Sequence, residues 1–161
     1  MKRKITAVAL LCAILIMLLA GCGAGPINRP TMKPGAVAFE VTGNCKAELN
    51  GNTLTVSGTS NLADGTLATI SVYSVNGIQI ELMPVTKSGD NLKHDFTVTD
   101  KWPDEVYGFL TFDVYQAGTQ PQGILQQYGN QFENLQGSKD NITWDTHGVA
   151  AVFQSDPVKV R

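Results

Sequence analysis

Outside its first two dozen residues, the chain holds one cysteine and two histidines, Cys45, His94 and His147. They are far apart, with no CxxC or HxxH spacing to bring a zinc ion three or four ligands. Cys45 has no neighbouring histidine and no helix entry to lower its pKa, so it reads as a buried small apolar residue. By alternation His94 shares a strand face with Phe96 and Val98 and reads as a rim residue. His147 sits in a polar stretch with Trp144 and Asp145. No GxSxG is present for serine chemistry, and a triad would have only these two histidines to draw on. Fourteen acids make some carboxylate pair inevitable, so glycosidase chemistry carries almost no signal. Asp64, Asp90, Asp100, Asp104, Glu105, Asp140 and Asp145 fall in or near expected loops, but no DxDxDG string concentrates them for calcium. Turn formation accounts for Asp64 and Asp90. The expectation is a non-enzymatic chain that needs no cofactor. Four aromatic residues, Tyr73, Trp102, Tyr115 and Trp144, read as exposed and are the residues best suited to an interface.

The amino terminus carries a sharper signal. Lys2, Arg3 and Lys4 precede a nearly continuous apolar run, Ile5–Ala20, which breaks at Gly21-Cys22-Gly23. A basic start, an apolar middle and small residues at a cut point are the parts of an export signal. The run is slightly short of the ~20 apolar residues a spanning helix needs, and Pro26, Pro30 and Pro34 follow without a basic cluster. The tetrapeptide Leu19-Ala20-Gly21-Cys22 resembles the lipobox of bacterial lipoproteins at every position. The resemblance implies that residues 1–21 are removed and that the Cys22 thiol receives a diacylglyceryl group. The mature protein would then be held at the membrane, facing away from the cytoplasm. Residues 22–35, rich in glycine and proline, read as a flexible tether.

The elements beyond it follow a period of two. Leu54 and Val56, then Ala68, Ile70 and Val72, then Ile78, Ile80 and Leu82 alternate with polar residues. So do Phe96 and Val98, and Leu110, Phe112 and Val114. Each series buries one face, as antiparallel sheets require. Asn76-Gly77 is a strong hairpin signal. Asn50-Gly51-Asn52, Asp64-Gly65 and Ser88-Gly89-Asp90-Asn91 supply further turns. An all-β fold follows, with two sheets packed face to face over 36–161. Pro121 to Gly129 reads as a short helical turn, 130–148 as a long polar loop, and Val149–Phe153 and Val158–Val160 as last strands. Phe132 and Leu135 are placed at an edge of the sandwich.

Trp102-Pro103-Asp104-Glu105-Val106-Tyr107 resembles the entry to the sixth strand of fibronectin type III and immunoglobulin-like domains. That likeness implies an immunoglobulin-like sandwich in which the Tyr107 hydroxyl ties the chain back. The usual early-strand tryptophan and inter-sheet disulfide are missing. A lipobox before one such domain is similar to envelope lipoproteins of no known activity.

Charge narrows the partners. The formal net charge of −2 becomes −5 once Lys2, Arg3 and Lys4 are gone, which is unlike a nucleic-acid binder. The expectation is a membrane-anchored binding module with an envelope protein or glycan as partner. A secreted hydrolase or its accessory subunit is the alternative, and a ligand-binding lipoprotein of a transporter is a third. The last would ordinarily need two lobes to close around a ligand.

Overall fold

The structure is a computed structural model that describes residues 26–161. The leader 1–21 and the lipobox with Cys22 lie outside the described residues. Among those described, no helix is long and apolar enough to cross a membrane.

Eleven strands and one helix make up the domain. β1 is Phe39–Glu40, β2 Gly43–Asn50, β3 Thr53–Ser60, β4 Leu67–Ser74, β5 Gln79–Thr86, β6 Leu92–Thr97 and β7 Glu105–Phe112. Helix α1, Gln122–Tyr128, follows, then β8 Leu135–Gln136, β9 Ile142–Trp144, β10 Val149–Gln154 and β11 Val158–Lys159. The smaller sheet has the order β2-β3-β6 and the larger β5-β4-β7-β10-β9, with β11 continuing beside β7. Both sheets are antiparallel throughout. The first, second and fifth long strands form one sheet and the third, fourth, sixth and seventh the other, an all-β sandwich. β1 and β8 add a parallel pair at the side.

Alternation explains the packing. On β3, Leu54 and Val56 are buried while Thr53, Thr55 and Ser57 stand outward, where β-branched threonines suit a pleated half-wet face. Ile70 and Val72 of β4, Leu110 and Phe112 of β7, and Ala151 and Phe153 of β10 complete the core between the sheets. Each large apolar side chain buried there contributes about 1.5–3 kcal/mol. Gly108 marks a close approach of the two sheets. A Cβ on it would lie 2.8 Å from a Val56 methyl and 3.2 Å from Ala47 Cβ. The Asn76-Gly77 hairpin forms between β4 and β5, with Gly77 at φ +77°, a region glycine enters without steric cost.

Four expectations need correction. Trp102 is not exposed but buried, at 4%. It lies in the connection from β6 to β7, which crosses from one sheet to the other, so its ring closes the end of the core. Tyr107 is half-buried on the outer face of β7, opposite Tyr73 of β4. Its hydroxyl makes no tie upstream among the described residues, because the strand's alternation turns it away from the core. Residues 130–148 are not one loop: β8 and β9 form within them, and Phe132 and Leu135 are fully buried. The described part of the tether also lies against the domain. Trp144 Nε1 donates to the Ile27 carbonyl at 3.1 Å, the Arg29 guanidinium donates to the Leu135 carbonyl, and Gln136 Nε2 donates to Met32 Sδ at 3.6 Å. The side of β8 and β9 supplies polar partners that the spacing of prolines does not reveal.

Helix α1 starts after Pro121 and stops at Gly129, φ +93°. Its Tyr128 hydroxyl accepts the Ala63 N–H at 2.7 Å, fastening the helix to the β3–β4 connection.

Candidate functional site

The outward positions of an antiparallel sheet that faces water are ordinarily polar. The larger sheet departs from this. Tyr73 on β4, Phe109 and Thr111 on β7, and Ala150 and Val152 on β10 stand side by side on its outer face. Tyr73 and Phe109 meet edge to face with centroids 5.2 Å apart. Thr143 and Trp144 of β9 flank them on one side. Together they line a groove of about 280 Å³, predominantly apolar.

One end of the groove is closed by a polar group built from two turns. The Asp113 carboxylate, just past β7, accepts the N–H groups of Tyr115 at 2.9 Å and Gln116 at 2.7 Å. That turn carries Tyr115 beside the β9–β10 turn, where Asp145 Oδ1 accepts the His147 N–H at 2.7 Å and the Gly148 N–H at 3.3 Å. The Tyr115 hydroxyl donates to Asp145 Oδ2 at 3.1 Å, and His147 Nδ1 lies 3.3 Å from the same oxygen. The Tyr115 and His147 rings stack at 4.3 Å.

The electrostatics follow from these contacts. Burial, then the neighbouring Asp145 carboxylate, pushes the Tyr115 phenol up to about 12. For Asp145, burial acts to raise the pKa, but the His147 N–H and ring, the Tyr115 hydroxyl and the Gly148 N–H together hold it below the ordinary value. The cluster is a carboxylate kept charged beside a phenol kept neutral, which can accept and donate hydrogen bonds at the groove mouth.

The other candidates fall elsewhere. Cys45 is buried on β2, where burial pushes its thiol up to about 12 against hydrogen bonds with the backbone of Leu110 and Ser155. His94 lies on β6 of the smaller sheet, its ring 4.7 Å from that of Phe96. Cys45, His94 and His147 thus occupy three places with different neighbours and are not brought together. Asp64 is spent on Lys87 Nζ at 2.8 Å and the Gly89 N–H at 3.0 Å. Among the described residues no three of His, Cys, Asp and Glu gather as a metal's ligands would. Of the aromatics expected at an interface, Tyr73, Tyr115 and Trp144 line the groove and Trp102 does not. Phe109, Ala150 and Val152 escape a reading based on inward faces. For Ala150 and Val152 the signal was the run Val149-Ala150-Ala151-Val152-Phe153, apolar at both parities, which marks a strand covered on both sides. Compared with protein families, curated proteins and solved structures, the chain finds no match.

Proposed function

We propose that this protein is a non-enzymatic binding module of a bacterial cell envelope, anchored to the membrane by a lipid on Cys22. The observation that carries the binding role is the groove on the outer face of the larger sheet, where ring and aliphatic side chains replace the polar residues that water would favour. An apolar hollow rimmed by a few polar groups is the common form of a recognition site. Its sparse polar lining suits an apolar segment of a partner protein better than a glycan, whose hydroxyls demand many paired donors and acceptors. The lipid reading draws support from Leu19-Ala20-Gly21-Cys22 following a basic and apolar leader.

A photo-crosslinking residue in place of Thr111, on the groove floor, tests the role in intact cells. A discrete adduct that disappears when Phe109→Asp is added supports it. Absence of any adduct, or an adduct indifferent to Phe109→Asp, overturns it. The hydrolase reading has one observation in its favour, the Asp145–His147 pair at the groove mouth. It requires a turnover that His147→Ala abolishes, with a serine, threonine or water as nucleophile.

A further inference from the structure

The large exposed apolar and aromatic side chains fall mainly in two groups. Val75 and Ile78 flank the tip of the β4–β5 hairpin, with Met83 further along β5. Ile27, Tyr115 and Trp144 are 48%, 43% and 43% exposed and lie where the tail meets the β9–β10 turn. Strand register separates the two groups. Trp144 pairs with Val149, beyond the Ala151–Phe112 pair, and Thr69 pairs with Thr111, so the second group lies level with the start of β4. The hairpin tip is at the other end of that eight-residue strand, about 26 Å away at ~3.3 Å per residue.

The anchor can reach only one of these ends. Cys22 is five residues before Ile27, and Ile27 is fixed by the bond from Trp144 Nε1 to its carbonyl. Five residues span at most about 17 Å at ~3.3–3.6 Å each, whatever their conformation. Arg29, with its guanidinium carbon 6.0 Å from the Trp144 ring centroid, and Lys139, beside Trp144 in a shallow apolar hollow, supply cations at this end. Asp113, Asp140 and Asp145 are the nearby acids; Asp113 is engaged by the Tyr115 and Gln116 amides, and Asp145 by Tyr115 and the amides of its turn. An exposed indole, an isoleucine and long basic side chains are what the boundary between headgroups and acyl chains accepts.

We propose that the patch formed by Ile27, Arg29 and Trp144 is a second membrane contact, seating this end of the domain on a phospholipid surface. The inference rests on the lipid at Cys22. It gives the domain a fixed orientation, with the groove mouth just above the headgroups and the β4–β5 hairpin pointing away. A contact too weak to hold by itself then suffices, because the two-chain anchor keeps the patch at high local concentration beside the bilayer.

The test uses full-chain protein extracted from membranes in detergent and reconstituted into phosphatidylglycerol–phosphatidylcholine vesicles, with and without brominated acyl chains. Mass spectrometry of the mature amino terminus is run on the same sample. The chain has two tryptophans, and Trp102 is buried, so quenching reports Trp144. With the lipid present, brominated vesicles should remove up to about half of the emission, since one of the two tryptophans would lie at the headgroup boundary, and Trp144→Phe should abolish that quenching. Lipid-bearing protein whose emission ignores bromination overturns the contact while leaving the anchor standing. A mature terminus without lipid overturns the anchor, and this inference with it.

Discussion

The side-chain amide of Gln120 bonds both backbone groups of Leu67, accepting its N–H at 2.9 Å and donating to its carbonyl at 2.8 Å. The same nitrogen donates to the Asp113 carbonyl at 2.6 Å. Gln120 is 2% exposed, so it stands in for a strand where β4 begins and β7 has ended. It also holds the turn that carries Tyr115 into the site.

Replacing Gln120 with Leu keeps the volume and leaves a donor and two acceptors without partners. Each unpaired buried group costs about 1–3 kcal/mol, and the two Leu67 groups are only part-buried and stay near the low end, so Gln120→Leu should destabilise the domain by about 3–5 kcal/mol. Urea unfolding would read this as a lower midpoint with an unchanged slope. A loss under about 0.5 kcal/mol would mean that the mimicry is dispensable.

Gly108 offers a packing test. The gap between β7 and the smaller sheet admits no Cβ without displacing Val56 or Ala47. Overpacking a tight core costs about 1–3 kcal/mol, so Gly108→Ala should fall in that range and Gly108→Val at its upper end. Gly123 is a control, since a Cβ there meets nothing within 4 Å and alanine favours a helix by about 1 kcal/mol. Thermal denaturation of Gly123→Ala should therefore show no loss.

Much of this architecture was legible from local signals. Leu54 and Val56, Ile70 and Val72, and Leu110 and Phe112 announce inward faces, and Asn76-Gly77 announces its hairpin. Pro121 and Gly129 bracket the helix. What escaped depends on where one segment lands on another. Trp102 reads as a loop aromatic until β6 and β7 are known to lie in different sheets. Ile142 lies in a stretch that reads as polar loop until β10 gives it a partner strand. The site was half visible: Tyr73 and Tyr115 stood out as aromatics on polar sides and Trp144 as a loop aromatic, whereas Phe109 and Val152 gain meaning only when β4, β7 and β10 are neighbours. No local pattern says that Arg29 and Ile27 return to the edge of the fold.

The Cys45 thiol should behave as its surroundings dictate. Burial raises its pKa to about 12, leaving almost no thiolate at neutral pH. In reduced protein under native conditions, Cys45 should resist a thiol-specific probe for hours and react fully in denaturant. The labelling rate would then follow opening of the domain, and Gly108→Ala should speed it. Prompt labelling of the native protein would contradict the burial.

Acid should expose the role of Asp64. The hydrogen bond from the buried Lys87 ammonium, then that from Gly89, lowers its pKa despite some opposing burial. A carboxylate with a folded pKa below its unfolded value of about 3.9 contributes stability above that value. The contribution is lost as pH falls through the lower folded value. Wild-type protein should therefore melt higher than Asp64→Asn at neutral pH, with a gap that holds while pH stays well above the unfolded value and closes as pH falls through the lower folded one. A gap that persists at the lowest pH would assign the effect to shape and not to charge.

Alkali tests Tyr115 in the opposite sense. Its phenol is raised to about 12 in the folded protein, against about 10 in an unfolded chain. A raised pKa means stability that is whole below about pH 10 and drains away as pH climbs toward 12. Spectroscopic titration should show late phenolate formation, and Tyr115→Phe should remove a phase near pH 12. Tyr128 will also titrate late, since burial raises it against the hydrogen bond with Ala63, so the two are separated by mutation and not by eye. Asp145→Asn supplies the decisive comparison. It removes the negative charge that opposes Tyr115 ionisation and keeps the turn's size and amide contacts, so the Tyr115 phase should move to lower pH. If that phase stays in place, burial and the remaining neighbours Asp113 and Tyr73 set it, and the Asp145 carboxylate contributes nothing to the charge pattern at the groove mouth.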